Sequence, residues 1–84
     1  MANAKRLHEL GVPTVLAEEI VRQIEAGTGN MRRLAELSMV PDLAKELAAQ
    51  ITAGESNRTR LVAFSMVPPI AVEISEQIDA ENDE

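Results

Sequence analysis

Few side chains in this sequence could carry out chemistry. His8 is the one histidine and cysteine is absent, so the chain offers no thiol nucleophile, no disulfide and no histidine–cysteine metal cluster. Phe64 is the one aromatic residue, which leaves little to stack on bases, sugars or flat cofactors. We therefore expect no catalytic, cofactor-binding or metal-binding residues, and a protein that is not an enzyme.

The charged residues indicate a protein partner. With 14 acidic against 8 basic residues, the formal charge of −6 disfavours binding to nucleic acid or to an anionic membrane. Three of the basic residues, Arg6, Arg33 and Arg60, recur at an interval of 27 residues in the first turns of predicted helices, where a cation opposes the helix dipole. They are interpreted either as ion-pair partners of recurring glutamates or as a basic stripe that faces an acidic partner.

The same interval relates the whole chain to itself. Residues 3–29, 30–56 and 57–83 align without gaps, and eight positions are identical in all three segments. In the first segment these positions are Asn3, Arg6, Leu7, Ala17, Glu19, Gln23, Ile24 and Ala26. We predict three tandem 27-residue repeats, packed as one small domain over residues 1–84.

Each segment has the pattern of a helical hairpin. An asparagine N-cap begins a short helix, which ends at Gly11 or at the serine that replaces it. The prolines of the following turn, Pro13, Pro41 and Pro68, are expected at the first position of a longer helix, and Gly27 suits its left-handed cap. The predicted fold class is therefore all-α. Because one hairpin cannot bury both of its apolar faces, the copies are expected to depend on one another.

The longer helix supplies the predicted core. Leu16, Ala17, Ile20 and Ile24 lie on one helical face, and the other two segments keep apolar residues at these positions. The glutamate of each long helix is followed by a glutamine four residues later, and this pair is expected to make polar contacts between neighbouring copies. The acidic stretch at residues 79–84 is interpreted as a polar cap or a frayed end, without a function.

The turns between the paired helices are apolar, although loops normally face water. Val12, Met39 and Met66 occupy the same position in the three turns. They either plug the gap beneath the turn, which predicts burial, or contact a partner, which predicts exposure. With the three recurring arginines, they form the predicted partner-binding set.

Two family resemblances follow from these patterns. Residues 3–37 resemble a ubiquitin-associated-type three-helix unit, whose apolar turn binds partner surfaces. The residues that fit that outline are Leu7, Leu10, Gly11, Val12, Ala17, Ile20, Gly29, Asn30 and Leu34. The tandem pattern N-x-x-R-L-x-x-L-G-[VM]-P-x-x-L-A-x-E-I-x-x-Q-I covers nearly the whole chain and is similar to helical segments in small virion proteins of tailed bacteriophages, of the head-fibre or head-decoration type.

The second resemblance implies a structural protein bound to a capsid or another virion protein. A small cytosolic adaptor that binds a protein or peptide through the apolar turns is the alternative, and a regulator that touches DNA is less favoured. The sequence shows neither a signal peptide nor a membrane span, so we expect the virion or the host cytoplasm as its location. The number of chains in the assembled form stays open, as does linear or closed packing of the repeats.

Overall fold

The computed structural model describes residues 2–82 and contains six α-helices there, which confirms the all-helical prediction. Short and long helices alternate, so that they form three successive pairs. The helices are α1 (Ala4–Glu9), α2 (Thr14–Ala26), α3 (Met31–Glu36), α4 (Pro41–Ala53), α5 (Arg58–Ala63) and α6 (Pro68–Glu81). Met1, Asp83 and Glu84, the last two from the predicted acidic tail, lie outside the described residues.

The short helices begin at the asparagines, as predicted. The side-chain oxygens of Asn3, Asn30 and Asn57 each accept a hydrogen bond from the backbone N–H three residues later, at 3.0 to 3.1 Å. This bond satisfies one of the backbone donors that the first turn of a helix leaves unpaired. The asparagine is therefore the local reason why each short helix begins where it does.

A left-handed residue follows the C-cap of each short helix. Gly11, Ser38 and Ser65 have φ values of 111°, 88° and 86°. The backbone N–H of Val12 then donates to the oxygen of Leu7 at 3.1 Å, and equivalent bonds follow Ser38 and Ser65. These bonds form a Schellman motif. In this motif the residue after the left-handed position packs against an apolar side chain in the last turn of the preceding helix. The turn therefore directs this next residue inward.

The prediction for the prolines was wrong at one of three positions. Pro41 and Pro68 are the first residues of α4 and α6, but Pro13 is the N-cap residue of α2, which begins at Thr14. An offset of 27 residues places Pro13 opposite Val40, and not opposite Pro41. The first turn therefore presents a proline at the position where the second presents an exposed valine.

The long helices end differently in the third pair. Gly27 and Gly54 have φ values of 71° and 72° and form the expected left-handed caps of α2 and α4. Glu81 stands at the equivalent position of the third pair, and α6 continues through it to a cap at Asn82 with a φ of −106°. The side-chain amide of Asn82 donates to the backbone oxygen of Ile78 at 2.8 Å and so satisfies one carbonyl of the last turn.

The core lies between the three long helices and is closed by the leucines of the short ones. Ala17, Ile20 and Ile24 are almost completely buried, as are the residues at the same positions in α4 and α6. Leu7, Leu34 and Leu61 are fully buried. The predicted core is confirmed except at the third equivalent of Leu16, Ile70, which is only partly buried.

The first and last helices contact each other. α1 packs on α6 as α3 packs on α2 and α5 on α4, and α2 also contacts α6. A linear stack would leave α1 and α6 apart, so the packing is closed. Within residues 2–82, none of the six helices has the length and apolar character that crossing a bilayer requires.

Candidate functional site

The junction between the first and second helix pairs is built on Gln23, which is buried on α2. Its Nε2 donates to the backbone oxygen of Asn30 at 3.2 Å and to Oε2 of Glu19 at 3.0 Å. Its Oε1 accepts from the backbone N–H of Asn30 at 2.9 Å. One side chain therefore hydrogen-bonds to both the backbone N–H and the backbone oxygen of the N-cap residue of the next helix. Glu19 and Gln23 join neighbouring helix pairs, as expected from their spacing.

The same bonds occur at the other two junctions. Nε2 of Gln50 donates to the backbone oxygen of Asn57 at 3.1 Å, and its Oε1 accepts from the backbone N–H of Asn57 at 2.9 Å. Gln77 makes the same two hydrogen bonds with Asn3, across 74 residues of sequence: its Nε2 donates to the backbone oxygen at 3.1 Å, and its Oε1 accepts from the backbone N–H at 3.0 Å. The contact between the two ends of the chain is therefore made by the same groups, at nearly the same distances, as the two internal contacts.

The three predicted arginines lie beside the recurring glutamates of the preceding helix pair. Nε of Arg33 is 3.6 Å from Oε1 of Glu19, and the corresponding distance from Arg60 to Glu46 is 3.2 Å. Nε of Arg6 lies 3.3 Å from Oε1 of Glu73 and completes the set. The structure thus contains the ion pairs of the first interpretation, and about half of each arginine side chain remains exposed.

Arg33→Ala is expected to lower the free energy of unfolding by less than about 1 kcal/mol, because exposed ion pairs contribute little in water. Arg33 lies within 3.6 Å of both Glu19 and Glu36, and both contacts end in the variant. Urea unfolding at low salt and in 1 M NaCl tests this, since salt screens such pairs. If the free energies of unfolding of variant and wild type differed by the same amount at both salt concentrations, an electrostatic role for Arg33 would be contradicted.

Glu19 is the buried carboxylate of the first junction. Burial raises its pKa, but hydrogen bonds from Gln23 and Arg22 and the charges of Arg22 and Arg33 outweigh burial, so the pKa is lowered from its ordinary value of 4.5. The native state therefore binds fewer protons at this group than the unfolded state does. Its contribution to stability is present above the ordinary pKa and is lost as the pH falls through the lowered value.

We expect the wild type to lose more stability than Glu19→Gln between about pH 5 and pH 3, because the glutamine variant lacks the group whose pKa is lowered. Urea unfolding at several pH values measures the two curves. Glu18→Gln removes one charge from an exposed position on the same helix and controls for net charge. Parallel curves for Glu19→Gln and the wild type would exclude this contribution.

Gln77→Ala and Gln50→Ala are expected to destabilise the protein by similar amounts, about 1 to 3 kcal/mol each. Each change leaves both backbone groups of a junction asparagine without their glutamine partner. Chemical unfolding of the two variants compares the terminal junction with an internal one. A much smaller effect of Gln77→Ala would show that the two ends of the chain are not held together in solution.

The three predicted turn residues are buried. Val12, Met39 and Met66 are 6%, 8% and 7% exposed, respectively. Burial is what the packing interpretation predicts, and it opposes the exposed side chains expected of a free contact surface. The reason is the Schellman motif, which turns each of them toward the leucine of its own short helix.

A depression of about 220 Å³ nevertheless opens above these three residues, where the three turns meet. Its buried lining includes Val12, Met39 and Met66, and its exposed lining includes the residue that follows each of them. These exposed residues are Pro13, Val40 and Val67. The depression is therefore apolar both inside and at its edge.

The surface around the depression is almost uncharged. We call residues 11–15, 38–42 and 65–69 the apolar end. It comprises the three turns and the starts of the long helices, and Asp42 is its one charged residue. Val15, Val40 and Val67 are each more than half exposed there. The predicted partner-binding set does not include these three valines, although the 27-residue offset places Val40 and Val67 opposite Pro13.

The opposite ends of the long helices are acidic. Residues 25–29, 52–56 and 79–82 contain Glu25, Glu55, Asp79 and Glu81 and no basic residue. Negative side chains near helix C-termini oppose the helix dipole, so they do not serve local helix stability. The start of each long helix is therefore mainly apolar, with Asp42 of α4 as its one charge, and acidic residues lie at or just beyond its end.

His8 has a local structural role. Its Nδ1 lies 2.9 Å from the backbone oxygen of Val12 and 3.2 Å from the hydroxyl of Thr14, which connects α1 to the start of α2. Within residues 2–82, no three histidine, aspartate or glutamate side chains are grouped as a metal site requires.

Comparison of the chain with models of protein families, with curated proteins and with solved structures found no match. No family is therefore assigned to it. The apolar end and the polar junctions are the two features from which a function is inferred.

Proposed function

We propose that this chain is a non-enzymatic structural protein that binds another protein, as a head-associated component of a tailed bacteriophage. The observation that carries the binding role is the apolar end, where exposed Pro13, Val40 and Val67 form the edge of a depression in an almost uncharged surface. Large exposed apolar surfaces are unfavourable in water unless a partner covers them.

The proposed architecture is a closed array of three 27-residue helical hairpins, at residues 3–29, 30–56 and 57–83. Three sets of glutamine–asparagine bonds at equivalent positions support this unit, together with the arginine–glutamate pair at each junction. A closed array presents its three turns side by side in one fixed arrangement. It therefore binds as one rigid body, without the loss of conformational freedom that a flexible segment would suffer.

The phage assignment is supported by the resemblance of the tandem pattern to small virion proteins of the head-fibre or head-decoration type. In this proposal the partner is a capsid protein or another virion protein, and the location is the virion. The charge of −6 disfavours DNA as the partner, because affinity for the phosphate backbone comes largely from lysine and arginine. Most of the arginines that could supply such groups lie beside glutamates.

A small cytosolic adaptor is the second candidate, because the same apolar end could hold a protein or peptide that is never part of a particle. The two candidates differ in where the chain is found. A virion component remains with purified particles in a constant ratio to the capsid protein, whereas an adaptor remains in the supernatant of the lysate.

The test is quantitative mass spectrometry of gradient-purified virions of the phage that encodes the chain. We expect a constant copy number per particle for the wild type and loss from the particle for the double variant Val40→Lys/Val67→Lys. Val62→Lys is the matched control, because Val62 is 40% exposed on α5 and does not line the depression. Absence of the wild type from particles would overturn the assignment, and equal incorporation of both variants would exclude the apolar end as the contact.

A further inference from the structure

We infer that the depression at the apolar end receives a single protruding apolar side chain of the partner protein, with a basic residue next to it. The inference rests on the proposed function, since it names the chemistry of the partner that the apolar end binds. The occupant is a segment of another protein, and neither a second copy of this chain nor a lipid surface.

The size and lining of the depression fit one large side chain. Its volume of about 220 Å³ exceeds the roughly 150 Å³ of an apolar cavity that holds benzene. Its buried lining comes from all three helix pairs, and two of the three turn residues there are Met39 and Met66. Methionine is flexible and polarisable, and its sulfur makes favourable contacts with aromatic rings. An aromatic side chain that enters between the three turns would therefore be contacted by all three helix pairs.

The shape of the apolar end disfavours a second copy of this chain. In a symmetric dimer the same surface patch meets itself. Two concave surfaces would then face each other and enclose a void of roughly twice the volume of one depression. The core of a stable interface is packed as densely as a protein interior, which a void of that size prevents. A convex partner fills the same space without a void.

Asp42 adds a charge requirement to this shape. It is the one charged residue of the apolar end and lies two residues after Val40, outside the lining of the depression itself. The residues at its position in the other two turns are Val15 and Pro69. A lysine or arginine next to the inserted side chain can pair with Asp42 in only one of the three orientations that the similar turns allow. Asp42 would thus select the orientation of a partner on a surface that otherwise offers three similar choices.

The test uses NMR of protein labelled at the methionine methyl groups, in the full chain. The probes are N-acetyl-phenylalanyl-glycinamide and, as a control without a large side chain, N-acetyl-glycyl-glycinamide. We expect saturable shifts of the Met39 and Met66 methyl signals with the first probe alone. The Met31 signal serves as an internal control, because Met31 is 52% exposed on α3, away from the depression. Val40→Lys/Val67→Lys should weaken binding at least several-fold, and Val62→Lys should leave it unchanged.

The charge requirement is tested with N-acetyl-phenylalanyl-argininamide at low salt. It should bind about two- to five-fold more tightly than N-acetyl-phenylalanyl-glycinamide, which is the range for an exposed ion pair. This preference should disappear in Asp42→Asn, which keeps the size of the side chain. A preference of equal size in Asp42→Asn would overturn the role of Asp42.

Three outcomes would overturn the inference as a whole. Shifts that affect Met31 equally and do not saturate would show non-specific contact. Shifts of the Met39 and Met66 methyl signals on raising the protein concentration alone would indicate that a second copy binds. Broadening of these signals by neutral phosphatidylcholine vesicles, with no effect of the probe, would indicate a lipid surface. Failure of the proposed function is recognised separately: the probe would bind as expected, while the chain would be absent from virions.

Discussion

Gly29→Ala is expected to lower the free energy of unfolding by about 3 kcal/mol, chiefly through steric overlap. A Cβ atom at Gly29 would overlap the backbone oxygen of Ala48 on α4 and lie 2.6 Å from its Cα. Backbone atoms cannot move aside as a flexible side chain can, so the segment between α2 and α3 must separate from α4. The hydrogen bond from the Gly29 N–H to the Thr52 hydroxyl, 2.8 Å long, would then be lost as well.

Gly27→Ala is the matched control, because it separates steric overlap from backbone strain. A Cβ at Gly27 meets no atom within 4 Å, but the residue has a φ of 71°. We expect a cost of about 1 kcal/mol, the usual cost of a left-handed conformation for an L-residue. Urea unfolding of both variants gives the comparison. A Gly29→Ala variant no less stable than Gly27→Ala would show that α4 does not approach this segment as closely as the structure has it.

Ile51→Ala is expected to cost about 2 to 4 kcal/mol, the range for removing most of a buried isoleucine side chain. Ile51 lies in α4, the long helix of the middle pair, and is 2% exposed. For a chain of this length such a loss is a large part of the total stability. Thermal and chemical unfolding measure it, with Val62→Ala as the exposed control, for which we expect a change within about 0.5 kcal/mol. Equal losses for the two variants would contradict the predicted core.

The helices and the core could be predicted because their signals are local. Asn30 caps α3 through its own side chain, and the spacing of Ile20 and Ile24 places both on one face of α2. Glu19 and Gln23 were expected to join neighbouring helix pairs, because spacing by four residues gives a shared helix face. Spacing does not reveal the partner. That Gln23 pairs with the backbone of Asn30 depends on how closely the next helix approaches.

The burial of the turn residues could not be predicted from their composition. Gly11 was predicted only to end a helix, whereas its φ of 111° also decides that Val12 turns inward and Pro13 outward. Val40 and Val67, which follow Met39 and Met66 and turn outward, were left out of the predicted partner-binding set for the same reason. Closure could not be predicted either, because it depends on the angle between successive helix pairs. No short segment of sequence determines that angle. The angles at successive junctions add up, and their sum decides whether Gln77 can reach Asn3.

The contact between α1 and α6 has a consequence for how such a chain can change in evolution. In an open helical array each end exposes a surface on which another copy can stack, so duplication lengthens the protein and leaves the existing contacts intact. Here α1 already covers the surface of α6 that a fourth hairpin would need, through the bonds from Gln77 to Asn3 and from Arg6 to Glu73. An inserted helix pair would have to break this contact and change the angle at every junction. The number of helix pairs is therefore limited by geometry, and the ends of the chain could be moved to another junction more easily than a further pair could be added.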